Sequence, residues 1–160
     1  MSSGLLAITL VAALGCGLAA GFFLAFSTCV MPALGRRPAA QAVAAMQTIN
    51  VVVINPLFMT VLFGTALACL ASIVGALADW DAAYGPYLLA GGAVYLLGTI
   101  GVTMVANVPR NDALARLDPA SAGAESHWER YLAEWTAWNH VRTGASLIAL
   151  GLGIGALYVS

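Results

Sequence analysis

The sequence contains no lysine, and only 8% of its residues are charged. A water-soluble domain covers its surface with roughly 25% charged residues. The shortage excludes an ordinary soluble domain. The formal net charge of −1, with no basic run among the few arginines, leaves no electrostatic footprint for nucleic acid. Cysteine is scarce. Cys16, Cys29 and Cys69 are scattered in apolar surroundings and read as small hydrophobes, not as disulfide partners or metal ligands. Histidine is scarcer still: His127 and His140 stand 13 residues apart, without the spacing of common zinc or haem sites. No phosphate loop, nucleophile elbow or dinucleotide fingerprint occurs.

What the sequence has instead is apolar length. Hydrophobic residues make up 61% of the 160, with a mean hydropathy of +0.90. Residues 1–35, 38–78, 82–109 and 143–160 carry no charged side chain. A spanning helix needs about 20 mostly apolar residues. The chain is therefore expected to be all-α and a single integral membrane domain: a four-transmembrane-helix bundle with spans near residues 5–26, 57–78, 87–106 and 143–158. The first of these reads as a span and not a signal peptide, because it lacks a basic start and its apolar run is too long.

The uncharged stretch 38–78 is too long for one span and too short for two. Asn55-Pro56 divides it, since proline removes a backbone donor and disfavours helix at the residue before it. Residues 39–54 are thus expected to form an interfacial helix before span two. Ser126-His127-Trp128-Glu129 has the form of a capping box and predicts a capped helix leading into span four. Val108-Pro109 reads as the stop of the third span. Gly17-xxx-Gly21 and Gly151-xxx-Gly155 predict close helix approach.

All six arginines fall in or beside the first and third loops, whereas the loop between spans two and three carries Asp79 and Asp81. The positive-inside rule makes the arginine-bearing side cytoplasmic, with both termini outside, in a multi-pass protein of the plasma or inner membrane.

Three polar sets are candidates for chemistry. Tyr95, Thr99, Thr103 and Asn107, spaced by four, keep one face of the third span polar. That face either bonds neighbouring helices or lines a substrate pocket. Asn107 to Asp112, with Asn111 between, concentrates donors and acceptors at the end of that span. Trp128, Trp135, Asn139 and Arg142 share one helical face, flanked by Trp138 and His140. This third set is either an aromatic interface belt with a snorkelling arginine or an aromatic-walled pocket. The short return between the third and fourth spans is expected to bring the last two sets together on the arginine-bearing side, with Asn50 and Asn55 as a third wall. Asp112 is the expected partner of Arg142.

Asn50-xxxx-Asn55-Pro56-Leu57-Phe58, Asn107-Val108-Pro109-Arg110-Asn111-Asp112 and Trp135-xx-Trp138-Asn139-His140-Val141-Arg142-Thr143 resemble the motifs of the anthrone oxygenase-like family of small four-helix membrane proteins. Arg110 departs from the pattern, which has an apolar residue there. The resemblance implies oxidation of a flat phenolic or polycyclic, anthrone-like substrate, with molecular oxygen as co-substrate and no resident cofactor. Trp135 and Trp138 would form an aromatic slot, Asn139 and Arg142 would contact the oxyanion, and His140 or Asp112 would be the base. The implied partners are the lipid bilayer and a hydrophobic small molecule, with a homo-oligomer left open. Two rival readings remain: a non-catalytic lipid- or quinone-binding accessory subunit of a membrane complex, and a haem- or metal-bearing redox subunit.

Overall fold

A computed structural model describes all 160 residues. It is entirely helical. Four helices are long and apolar enough to cross a membrane: α1 (Ser3–Leu34), α3 (Pro56–Ala78), α4 (Gly85–Ala115) and α5 (Ala124–Tyr158). The shorter α2 (Ala39–Val52) lies between the first two. Each of the four expected spans falls within one long helix, and the expected interfacial segment is α2.

Local chemistry explains most of the boundaries. The Ser2 hydroxyl accepts from Leu5 N at 3.3 Å and opens α1. The Asn55 side chain accepts from Phe58 N at 3.0 Å, with Pro56 in the first turn, so this pair both ends the approach from α2 and starts α3. Two expected boundaries are corrected. The Ser126–Glu129 capping box does not form: α5 already begins at Ala124, after Gly123, with no side-chain cap. Successive turns after Asp118 start the helix early, so the Ser126 hydroxyl bonds back to Gly123 O at 3.1 Å. Pro109 does not end the third span either, because α4 runs through it to Ala115. Residues Tyr95–Gly101 and Thr103–Asn107 are π-helical. The wider turn just ahead of the proline gives its ring room against the preceding carbonyls, where an α-helix would clash.

The spans form a closed ring in which α1 packs on α3 and α5, and α4 packs on α3 and α5. α2 lies against α5 and the end of α4. Leu14, Leu18, Leu67 and Leu97 point outward, while Thr9, Thr65, Ser72, Thr99 and Ser146 are buried. That inversion suits lipid, where small and hydroxyl side chains let backbones approach and bond across helices. Of the two GxxxG pairs only Gly155 is closely approached, with the Tyr87 ring 2.9 Å from where a methyl would stand, and Gly17 has ordinary contact with Leu150. Gly21 and Gly151 face open space, whereas a methyl at Gly98 would stand 2.5 Å from Ala145 Cβ and one at Gly15 would overlap the Thr65 hydroxyl.

The two ends of the bundle differ. Ala76, Tyr84, Leu88 and Ala156 cluster with Met1 and Leu5, so both termini and the Asp79–Tyr84 turn share one end. There the Tyr84 hydroxyl donates to Asp79. At the other end Met31, Val43, Met46, Leu114, Trp128, Tyr131 and Trp135 form a second core beneath α2. The candidate site lies between this core and the bundle centre.

Candidate functional site

α5 carries a buried ladder on one face. Trp128 and Tyr131 stack with centroids 5.7 Å apart, and Tyr131 and Trp135 at 6.3 Å. One and two turns further on come Asn139 and Arg142, both buried. Arg142 is only 5% exposed. Its Nη2 donates to Asn139 Oδ1 at 2.7 Å and its Nη1 to Thr103 Oγ1 at 3.2 Å. The guanidinium carbon lies 4.3 Å from the Phe23 ring centroid and 5.1 Å from that of Trp135. Arg142 Nε is buried without a partner.

Asn139 holds this arginine by its other end. Its Nδ2 donates to Phe23 O and to Ser27 Oγ, both at 2.7 Å. The contact falls where α1 widens into the π-helical turn Phe26–Val30. π-Helical turns recur at functional sites because they free or displace backbone carbonyls.

No carboxylate neutralises Arg142. The expected pair with Asp112 does not form; Asp112 is exposed, and the one ion pair present joins Arg110 to Glu134 at 2.9 Å. The reason is the continuity of α4. Asn107 and Asn111, one turn apart, both face α5, and Asp112 is then rotated by about 100° toward water. A buried guanidinium with only neutral partners is costly to desolvate. It borders a cavity of about 210 Å³. Phe22, Phe26, Ile49, Phe58, Leu62 and Trp135 supply apolar walls, while Asn50, Thr103, Asn111 and Arg142 supply the polar edge. Ile54, Phe63 and Met104, also on its wall, are exposed on the outer surface of the bundle. The cavity therefore borders the apolar outer surface of the bundle.

A family model described as anthrone oxygenase matches residues 56–152. That is more than half of the chain. The chain belongs to the anthrone oxygenase family. No curated protein and no solved structure gives a significant match. The family match spans α3, α4 and most of α5, and so contains Thr103, Asn111, Trp135, Asn139 and Arg142. It stops short of α1 and α2, leaving Phe22, Phe23 and the Asn50–Asn55 motif outside.

Of the residues singled out in this anthrone oxygenase-like sequence, Asn50, Thr103, Asn111, Trp135 and Arg142 meet at the cavity, with Asn139 directly behind. Asn107 is buried beside them, donating to Trp135 O at 3.3 Å, with its Oδ1 unpartnered. The rest are elsewhere. Tyr95 donates to Leu62 O at 3.2 Å and Thr99 bonds Ser146 at 2.9 Å, deep between spans. Asn55 is an exposed helix cap. Trp138 is 39% exposed on α5 and does not line this cavity. His140 borders a separate groove with Ser27, Met31 and Thr136. Neither His140 nor Asp112 lines the cavity, so neither is positioned as its base. No set of three or more His, Cys, Asp or Glu side chains converges anywhere.

Sequence reasoning missed the α1 wall and Tyr131. The signals were present. Phe22, Phe23 and Phe26 stand out in a run of Ala, Gly and Leu, and Tyr131 lies three residues after Trp128 and four before Trp135, the spacing of one helical face.

Proposed function

We propose that this membrane protein oxidises a flat, weakly acidic aromatic ketone of the anthrone class, captured from the bilayer as its oxygen anion beneath Arg142. The observation that carries this reading is the buried, carboxylate-free guanidinium at the edge of an aromatic cavity bordering the lipid-facing surface. A fixed cation in a low-dielectric wall favours the ionised form of a bound ligand and lowers its pKa. Phe22, Phe58 and Trp135 offer faces for a planar ring system.

The chemistry then needs little more than ionisation and oxygen. Loss of one methylene proton to water at the rim gives an electron-rich enolate. Its carbon passes electrons to dioxygen and forms a C–O bond, giving a hydroperoxide anion. Loss of the second C–H proton with cleavage of the O–O bond leaves a ketone and hydroxide. The hydroxide and the first proton make water, so CH2 and O2 become C=O and H2O. Arg142 stabilises the enolate oxygen until the C–O bond forms, Asn139 holds Arg142, and the apolar walls keep bulk water from the carbanion.

The same cavity lacks a carboxylate or imidazole, which favours a second reading: capture of a flat quinone or phenol without turnover. Oxygen uptake separates the two. With anthrone in nanodiscs, the oxygenase reading expects one O2 consumed per anthraquinone formed. It also expects Arg142→Gln to lower turnover by about 100-fold or more. Tight anthrone binding with no oxygen uptake above that of protein-free lipid would leave only capture.

A further inference from the structure

Asn111 lines the cavity but bonds away from it. Trp135 Nε1 lies 2.8 Å from Asn111 Oδ1. An indole N–H can only donate. The atom facing it must therefore be the amide oxygen, and the NH2 must turn the other way. The Tyr131 hydroxyl donates to the same oxygen at 2.9 Å. With its proton committed there, Tyr131 has only a lone pair for Asn50, whose Nδ2 stands 3.5 Å away. Two donors from α5 thus saturate one end of Asn111, and no protein acceptor takes its Nδ2. Turning the amide over would set its NH2 against the indole N–H, donor against donor, and would take the acceptor away from the Tyr131 hydroxyl proton.

We propose that Asn111 Nδ2 is the second donor to the ligand's oxygen anion, beside Arg142, and that Tyr131 is a positioning residue that locks it in the donating orientation. The inference rests on the reading of Arg142 as an anion site and adds the oxygen's second contact. A ligand oxygen anion held by a cation and an amide N–H is discriminated from an ether or a bare hydrocarbon edge, because its charge strengthens both bonds and its oxygen carries no second substituent to crowd the two donors. It also gives the stacked aromatic ladder a use beyond packing: Trp135 lines the cavity and orients Asn111 with its indole N–H.

The test uses the full-length protein in nanodiscs of zwitterionic phospholipid and a nitronaphthol whose neutral and ionised forms absorb differently. The methyl ether of the same compound, which cannot ionise, reports whether the cavity is intact. Asn111→Leu is expected to weaken the ionised probe about 10-fold, in line with one charge-assisted hydrogen bond. It should raise the pH at which the bound probe ionises and leave the ether's affinity unchanged. Tyr131→Phe keeps the stack and is expected to give a smaller loss in the same direction. The double variant is expected to match Asn111→Leu alone, because Tyr131 acts through Asn111. Unchanged affinity for the ionised probe in Asn111→Leu, equal losses for both probes, or additive effects in the double variant would overturn the proposal. If instead Arg142→Gln leaves the bound probe's ionisation where it was, the anion-site reading itself fails, whatever Asn111 does.

Discussion

At the scale of single residues, Arg142 and Asn139 form the unit on which the site depends. Asn139 uses both Nδ2 bonds and Oδ1 to join α1 to the guanidinium. Asn139→Ala would strand Arg142 Nη2 without its 2.7 Å partner. We expect it to destabilise the protein by roughly 2 kcal/mol or more, seen as a lower thermal midpoint in detergent. Arg142→Met should behave in the opposite way. Removing an uncompensated buried charge while keeping side-chain length is expected to leave the midpoint unchanged or raise it, with loss of anion binding. A fall as large as that of Asn139→Ala would mean that Arg142 serves the fold. Much of this site was legible in the sequence. Trp128, Trp135, Asn139 and Arg142 share a face by spacing alone, and they are buried together. That Asp112 would not pair with Arg142 was not legible, because a single residue of helical phase, about 100°, decides which way an aspartate points. That phase depends on α4 continuing through Pro109. The Asn111 orientation was not legible either, since it follows from a donor-only indole on another helix.

At the scale of elements, hydropathy marks where lipid should lie, while backbone hydrogen bonding decides where a helix ends. Hence the third span was read as ending near residue 106, yet α4 continues to Ala115. Pro109 and Ser126 looked like a stop and a start because local rules were applied without the π-helical turn or the early turn at Gly123. Asn55-Pro56 behaved as read, because cap and proline there act on the same boundary. Glycine spacing marked one true close approach, Gly155 against Tyr87, and missed those at Gly15, Gly92 and Gly98. A GxxxG pair names a helix face but not the partner that must approach it. Gly98→Val is therefore expected to destabilise the bundle by about 1–3 kcal/mol through overpacking against Ala145. Gly151→Ala, which meets open space, should be neutral or stabilising by up to about 1 kcal/mol through helix propensity. Thermal melts of the two variants check this. Equal effects would contradict the assigned contacts.

At the scale of the whole molecule, the bundle has two chemically distinct ends. One gathers both termini and the Asp79–Tyr84 turn. The other carries α2, the stacked aromatics and the Arg110–Glu134 pair. We propose, from the arginine bias, that the second end faces the cytoplasm. Cysteines introduced at Ser3 and Ala82 are then expected to react with an impermeant reagent from outside intact cells. Protection of either until the cells are broken would reverse the topology. The proposed topology would put the cavity on the cytoplasmic side, with Ile54, Phe63 and Met104 joining it to the apolar outer surface of the bundle. The measurement that bears most directly on this is a structure of the protein in lipid with anthrone bound in the absence of oxygen. The expected result is a planar ring system between Phe22, Phe58 and Trp135 with its oxygen in hydrogen-bond reach of Arg142. A cavity filled by an acyl chain, or Arg142 turned out to phospholipid headgroups, would contradict it.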